Sequence, residues 1–473
     1  MAIEAQLLTP TPKARSVHVP VELWFDILAR PNLRSDLKQV SLTCHTFRVA
    51  AQSVLCEHLV VPSLTVSNAF RDHLARFLAS GHVVGRVKSV TIGNVGTAVA
   101  ETPLDVAKHF ARHLDTKSSD FYHPGLVTPK EVRSLLEASL DNTLFHSIAH
   151  LRNLTTLLLS GLTLGPQEIS WLSMVPKLSR LHVEKCVLYL GNSYETTAAI
   201  DDFKLKTLTI IECRISQGIL EVLTSPNTLE ELTILSIFYM DLTLDVEVFP
   251  CLRYLQVPVQ WSQTTLALLP RCPALEVLKL REWGSYGGLL FPGPFPPPRG
   301  FRMQTLPENV TPLLKAYYGR IDDAWSVITH RPITRLQFTS VFDTGTFHSW
   351  VVPLFRECPQ LEDLSFVIRS LDRATVSHLL STFRQLKTLR VSLRKLTGQD
   401  MDQICAAIVD TNLSTTVQSL HFLQLSFSDA GEYNGETDRL IDAAVDYPEL
   451  IAVVKARHPT LQDIQLMGTR WDV

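Results

Sequence analysis

One six-residue spacing governs what this chain can become. The phrase Leu-x-x-Leu-x-Leu, with Ile, Val or Phe as substitutes, begins at Leu154, Leu178, Leu205, Leu229, Leu252 and Leu275. After a gap it begins again at Ile333, Leu361, Leu386 and Val417, and Leu461 closes the series. Steps among the first six are 24, 27, 24, 23 and 23 residues, and later ones are 28, 25 and 31. Apolar residues two apart mark a short strand with one buried face. A strand of that length is not stable alone, so each unit must stack on its neighbours. Between phrases, stretches such as 265–280 return the chain as a helix. A proline recurs two residues before the first apolar position, at Pro176, Pro250, Pro273, Pro359 and Pro459, and stops the preceding helix.

Eleven such phrases at this period resemble irregular leucine-rich repeats. The resemblance implies an α/β solenoid over 151–473, with parallel strands on the concave face and helices on the convex face. Cys186 and Cys213 fall three residues after the last apolar position of their strands. Repeats of this kind place Asn or Cys there to bond the neighbouring coil's backbone. Both cysteines also suit a small buried position.

Residues 17–61 have a different pattern, with three short helical stretches in about 45 residues. Leu23, Ile27 and Leu28 repeat at helical spacing after Pro20, a residue suited to a helix's first turn. Ser35 or Asp36 caps a second helix, followed by Leu37, Val40, Ser41 and Cys44, and Phe47 starts the last stretch. So small a unit cannot bury all of these apolar groups and should present a patch that another protein covers. The run Val19-Pro20-Val21-Glu22, the pair Ile27-Leu28, then Leu37, Cys44 and Phe47 resemble the F-box, and 34–48 is similar to fungal versions. Val19 stands where Leu is commoner and Phe47 where Trp is common. The resemblance implies docking on a Skp-type adaptor through Pro20, Leu23, Ile27, Leu28, Leu37, Val40, Cys44 and Phe47.

The chain thus divides into a flexible tail (1–16), the F-box-like helices (17–61), a linker with a first irregular repeat (62–150) and the solenoid (151–473). Within 62–150, Val87-Val90-Ile92 reads as an early strand, and Thr128-Pro129-Lys130-Glu131 as a capping box opening a helix to about Leu140. Residues 284–312, rich in Gly and Pro, read as a long exposed loop, and 426–446 as a second insertion.

Composition narrows the function. A formal charge of −3 on 473 residues supports neither a nucleic-acid nor a membrane-surface reading. Eight cysteines without a Cys-x-x-Cys argue against a zinc cage and a redox pair. No run approaches 18 apolar residues, and the N-terminus lacks a signal-peptide pattern, so a cytoplasmic or nuclear protein is expected. No phosphate-cradling loop, nucleophile elbow or zinc-protease helix is present. His109 and His113 stand four apart, but Phe110 occupies the place of the base. The adjacent acids Glu230-Glu231 and Asp322-Asp323 diverge on any regular element. No enzyme activity, cofactor or metal is expected.

The resemblance to F-box proteins with leucine-rich repeats implies a substrate-recognition subunit of a Skp/cullin/F-box-type ubiquitin ligase. Two other readings stay open: a repeat scaffold with no ligase role, and a hydrolase on a repeat platform. Outward residues of the later strands lean basic, through Lys279, Arg281, Arg335 and Arg390 against one Asp363. These four cations are the expected target contacts, and they point to an acidic or phosphorylated target.

Overall fold

The computed structural model describes residues 57–61, 85–93, 148–188, 203–215, 218–235, 248–258, 262–281, 306–369, 372–382, 385–393, 398–410, 417–424, 447–466 and 469–472. The F-box-like helices, the capping-box helix, the insertion 426–446 and most of the loop 284–312 lie outside them.

The strands, in chain order, begin with β1 (His58–Val61), β2 (Ser89–Ile92), β3 (Thr156–Ser160), β4 (Thr163–Leu164), β5 (Arg180–Glu184) and β6 (Val187–Leu188). Then come β7 (Thr207–Ile211), β8 (Arg214–Ile215), β9 (Glu231–Leu235), β10 (Tyr254–Pro258), β11 (Val277–Arg281) and β12 (Ala316–Gly319). The last are β13 (Arg335–Phe342), β14 (Asp363–Ile368), β15 (Thr388–Leu393), β16 (Ser419–Gln424), β17 (Asp463–Leu466) and β18 (Thr469–Asp472). Among the described residues β4, β6 and β8 form a small sheet, and the other fifteen strands form one sheet in chain order.

Every neighbouring pair of the large sheet is parallel except the last, β17 with β18. Parallel neighbours need a crossover, and helices such as Pro166–Ser173, Ile321–Ile328, Arg373–Thr382 and Gly398–Asp410 supply it. The apolar phrase residues face these helices: Leu154, Leu157 and Leu159 are fully buried, as are Leu252, Leu255 and Leu386. Strands stack about 4.8 Å apart, whereas packed helices need about 8–10 Å. The sheet therefore takes the inside of the curve. The result is a leucine-rich-repeat-like α/β solenoid with one continuous core.

The corners behave as the cysteine positions suggest. Gly161, Lys185 and Glu212 take left-handed backbone angles (φ 68°, 54° and 54°) at equivalent points after β3, β5 and β7. Each turns the chain toward the small sheet. Cys186 Sγ accepts from the Leu162 amide (3.3 Å) and donates to the Leu159 carbonyl (3.6 Å). Cys213 repeats this one coil later, accepting from the Cys186 amide (3.4 Å) and donating to the Val183 carbonyl (3.4 Å). The sulfurs thus accept from the Leu162 and Cys186 amides at the bends, donors that would be costly to bury without a partner.

The structure departs from the sequence reading in four places. First, residues 58–61, assigned above to the helical segment, are strand β1 of the large sheet, paired with β2. The sheet therefore starts well before residue 151, and Val90 and Ile92 of β2 are buried as the early-strand reading expects. Second, the gap between Leu275 and Ile333 holds a coil with strand β12, and residues 306–312, read above as the end of the loop, include turns. Its phrase is Leu314-x-x-Tyr317-x-Gly319, which the leucine pattern does not detect. The fully buried Tyr317 ring fills the space of two apolar side chains, and its hydroxyl donates to the Arg320 carbonyl (2.8 Å). A Cβ on Gly319 would sit 2.6 Å from that hydroxyl oxygen, so the third position must be glycine. Third, β13 bulges between Gln337 and Val341, shifting its pairing with β14. Fourth, β18 returns antiparallel on β17 and covers an edge that the repeat would leave open.

At the C-terminal end, His458 and Arg457 from the helix Tyr447–Arg457 and its end bond the last turn of Gly398–Asp410. His458 Nε2 lies 3.1 Å from the Ile408 carbonyl, and Arg457 Nη1 donates to the Val409 carbonyl (2.6 Å). Burial holds the His458 imidazole below its usual pKa; Arg457 adds to this and the Ile408 bond opposes it. The unfolded chain therefore binds a proton more readily than the folded one. The histidine's contribution is complete above about pH 6.5 and is lost as pH falls through its lowered folded value. Urea midpoints should drop between pH 7.5 and 5, and His458→Gln should flatten that slope.

No helix among the described residues is long and apolar enough to cross a membrane.

Candidate functional site

Side chains that alternate with the buried ones project from the inner face of the sheet. Because the pairing register is continuous, they form rows across the strands. The central row runs Thr91, Leu158, His182, Thr209, Thr233, Gln256, Lys279, Tyr318, Gln337, Ser365, Arg390, His421 and Gln465. It contains no carboxylate. The β13 bulge comes after Gln337 and leaves the row unbroken.

The strand-leading edge has the opposite character. Lys206, Glu230, Arg253, Glu276 and Lys315 hold equivalent places: the amides of the last four each donate to the carbonyl of the member one coil earlier, and that of Lys206 to Ser179, at 2.8–2.9 Å. Their charges alternate and neutralise one another. Lys206 meets Glu230 at 2.8 Å, Lys315 meets Glu276 at 3.1 Å, and farther on Lys387 meets Glu362 at 2.9 Å. The Lys206 bond holds the Glu230 carboxyl below its usual range, with help from the Lys206 and Arg253 charges. Exposed pairs of this kind contribute little stability each, but they remove the edge as a net charged surface.

The four expected target cations have different surroundings. Lys279 Nζ lies 4.6 Å from the centre of the Tyr318 ring and 5.2 Å from that of Tyr254. Two ring faces on neighbouring strands thus hold the ammonium over the middle of the face. The Tyr254 hydroxyl donates to Gln256 Oε1 (2.6 Å), which fixes the Tyr254 ring in turn. Arg281, two residues along β11, is exposed. Arg335 stands opposite Asp363 in the register, and its Nε lies 3.0 Å from that carboxylate. Its charge is therefore matched within the protein. Arg390 is exposed in the central row, and no ion pair of it occurs among the described residues. A single strand, β12, separates Lys279 from Arg335, so these cations share one stretch of face. The adaptor positions Pro20, Leu23, Ile27, Leu28, Leu37, Val40, Cys44 and Phe47 lie outside the described residues, as do His109 and His113.

Sequence reasoning missed the Tyr254–Lys279–Tyr318 cluster because its members come from three coils. Only the register joins them. It also missed the His421–Asp463 pair on β16 and β17, where Nε2 and Oδ2 lie 2.7 Å apart and both side chains are largely buried. The acid pair Glu230-Glu231 diverges as expected: Glu230 binds Lys206, while Glu231 accepts from the Thr207 hydroxyl (3.4 Å). Among the described residues no three potential metal ligands gather. Burial pushes the Cys272 and Cys358 thiols up to about 12. Contact with Cys186 and burial raise Cys213 further. These thiols stay protonated at neutral pH and act as packing groups.

No protein-family model matches the chain, and no curated protein matches it. Among solved structures, it is similar to the crystal structure of a TLR13–ssRNA13 complex, at 12% identity and a TM-score of 0.28. The alignment covers 78% of this chain and 43% of that one, so the chain spans less than half of that protein's length. A likeness so distant carries no functional argument. The strands, corners and core identify a leucine-rich-repeat-like solenoid on their own.

Proposed function

We propose that this chain is the target-recognition subunit of a Skp/cullin/F-box-type ubiquitin ligase, working in the cytoplasm or nucleus. In this reading the chain performs no bond chemistry. It holds a target protein beside the ubiquitin-charged enzyme and so raises the effective concentration of the target's lysines. The observation that carries the reading is the order of parts. An F-box-like run at 17–61 precedes, in sequence, a repeat sheet whose inner face carries a central row without a carboxylate, polar from His182 to Gln465. Pro20, Leu23, Ile27, Leu28, Leu37, Val40, Cys44 and Phe47 form the adaptor contact. Lys279, Arg281 and Arg390 face the target, with Arg335 held back by Asp363.

The test is capture of a Skp-type adaptor by full-length chain carrying Leu23→Asp and Ile27→Asp. Two carboxylates would be forced into an apolar interface without partners, at a cost of several kcal/mol, or a loss of roughly a hundredfold or more in affinity. Capture by the double variant at the wild-type level would refute adaptor docking through this segment. If the wild-type chain brings down adaptor but never cullin, the scaffold reading without a ligase role takes over.

A further inference from the structure

We infer that the central row between Lys279 and Arg390 receives an extended acidic segment of a partner protein, with one carboxylate at each end of that span. The inference rests on the recognition role proposed above and names the chemistry of what is recognised.

Hydrogen-bond capacity is the first argument. From Gln256 to His421, across seven consecutive strands, the central row offers donors and no carboxylate. The Tyr254 hydroxyl occupies the Gln256 amide oxygen, which leaves that amide's N–H groups beside the Lys279 ammonium. Tyr318, Gln337 and Ser365 continue with hydroxyl and amide groups that donate as readily as they accept. A surface of this kind is matched by acceptors that carry negative charge.

Charge placement is the second argument. Ion pairs neutralise much of the strand-leading edge, and Asp363 neutralises Arg335 in the neighbouring row. Two cations then remain in the central row of this stretch. One is Lys279, held in place by its two tyrosines, and the other is Arg390. A nucleic-acid strand presents one charge at every nucleotide and would need cations on most strands. Two cations in five strands suit a peptide with two spaced carboxylates.

The spacing sets the motif. Lys279 and Arg390 are four strand intervals apart, about 19 Å along the face. An extended peptide advances about 3.3 Å per residue, so six residues span this distance. Six is even, so both acidic side chains fall on the same side of the peptide. The recognised pattern is Glu or Asp at positions i and i+6.

The experiment measures fluorescence anisotropy of labelled 12-residue Ser/Gly peptides with the full-length chain at low ionic strength. One peptide carries Glu at positions 3 and 9, a second carries Glu at 3 and 6, and a third carries Lys at 3 and 9. The first should bind about tenfold more tightly than the second, and the third should not bind. Lys279→Met and Arg390→Met should each erase the preference. Lys387→Met, which removes an edge cation already paired with Glu362, should retain it. Thermal melts of the three variants should match the wild type, since all three side chains lie on the surface. Equal binding of both Glu spacings, binding of the Lys peptide, or a preference that survives Lys279→Met would overturn the inference. So would an equal loss in Lys387→Met, which would show unspecific charge attraction. Adaptor capture is measured on the same proteins, so failure of the ligase reading is seen separately from failure of this one.

Discussion

Replacing Arg331 by methionine should lower the free energy of unfolding by about 3–5 kcal/mol. This arginine is only 4% exposed, and among the described residues no carboxylate lies within ion-pairing distance. Backbone carbonyls surround it instead. Its Nε donates to the Val310 carbonyl (3.1 Å) and the Thr311 hydroxyl (3.2 Å). Nη1 donates to the Thr329 carbonyl (2.7 Å), and Nη2 to those of Pro307 (3.1 Å) and Val310 (2.9 Å). Burial holds its pKa below the usual value, which is the mark of a desolvated cation. Methionine relieves that desolvation but leaves the Val310 and Thr329 carbonyls without the donors that Arg331 supplied, each costing about 1–3 kcal/mol where water cannot reach, while the Pro307 carbonyl keeps the Val310 amide (3.0 Å). The turn at 307–311, where Thr311 is fully buried with φ at 48°, would lose what seats it against β12. Denaturant midpoints give the magnitude, and proteolysis should open first at 306–312. Arg331→Lys should recover only part of the loss, because an ammonium cannot spread donors over three carbonyls. A change under about 1 kcal/mol would show that the arginine is not the clamp that this geometry implies.

A second substitution should destabilise by restoring the repeat pattern. Gly319 occupies the third apolar place of its phrase, where most coils have Leu, Ile or Val. Gly319→Leu should cost about 2–3 kcal/mol, in the range of overpacked cores. The new Cβ would meet the Tyr317 hydroxyl oxygen at 2.6 Å, its ring carbon at 2.9 Å and the Leu280 Cβ at 3.0 Å. The tyrosine is fully buried and its hydroxyl is bonded to Arg320, so it has little room to move. Changing Tyr317 to Leu together with Gly319→Leu should rebuild an ordinary Leu-x-Leu pair and return most of the loss. The two sites should then be coupled by more than about 1 kcal/mol in a double-mutant cycle. Additive effects would mean that Tyr317 and Gly319 do not share one volume.

These two sites also show where sequence reading stops. The period of buried residues is a local property, because alternation along a strand depends only on neighbours two apart. The leucine phrases therefore located β3, β5, β7, β9, β10, β11 and β13 through β17, and the steps between them placed helices on the other face. The cysteine corners were equally accessible, since their place is counted from the strand that precedes them. Coil β12 was hidden because Tyr317 fills the space of two leucines, a trade between side chains that no apolar count detects. Strand β18 was hidden because it follows the repeat with no phrase of its own.

Residue contacts across strands belong to the tertiary structure alone. Lys279 meets Tyr254 and Tyr318, 25 residues before it and 39 after it, only because loops of unequal length return each coil to one register. Arg335 reads as a free cation in the sequence, yet the same register sets Asp363 opposite it. That this chain stacks its coils, and which strand side chains are buried, follows from residue order alone, because the alternation is local. Which of the outward charges are spent within the protein, and which remain for a partner, was decided by the sheet, because that depends on which strands lie about 4.8 Å apart.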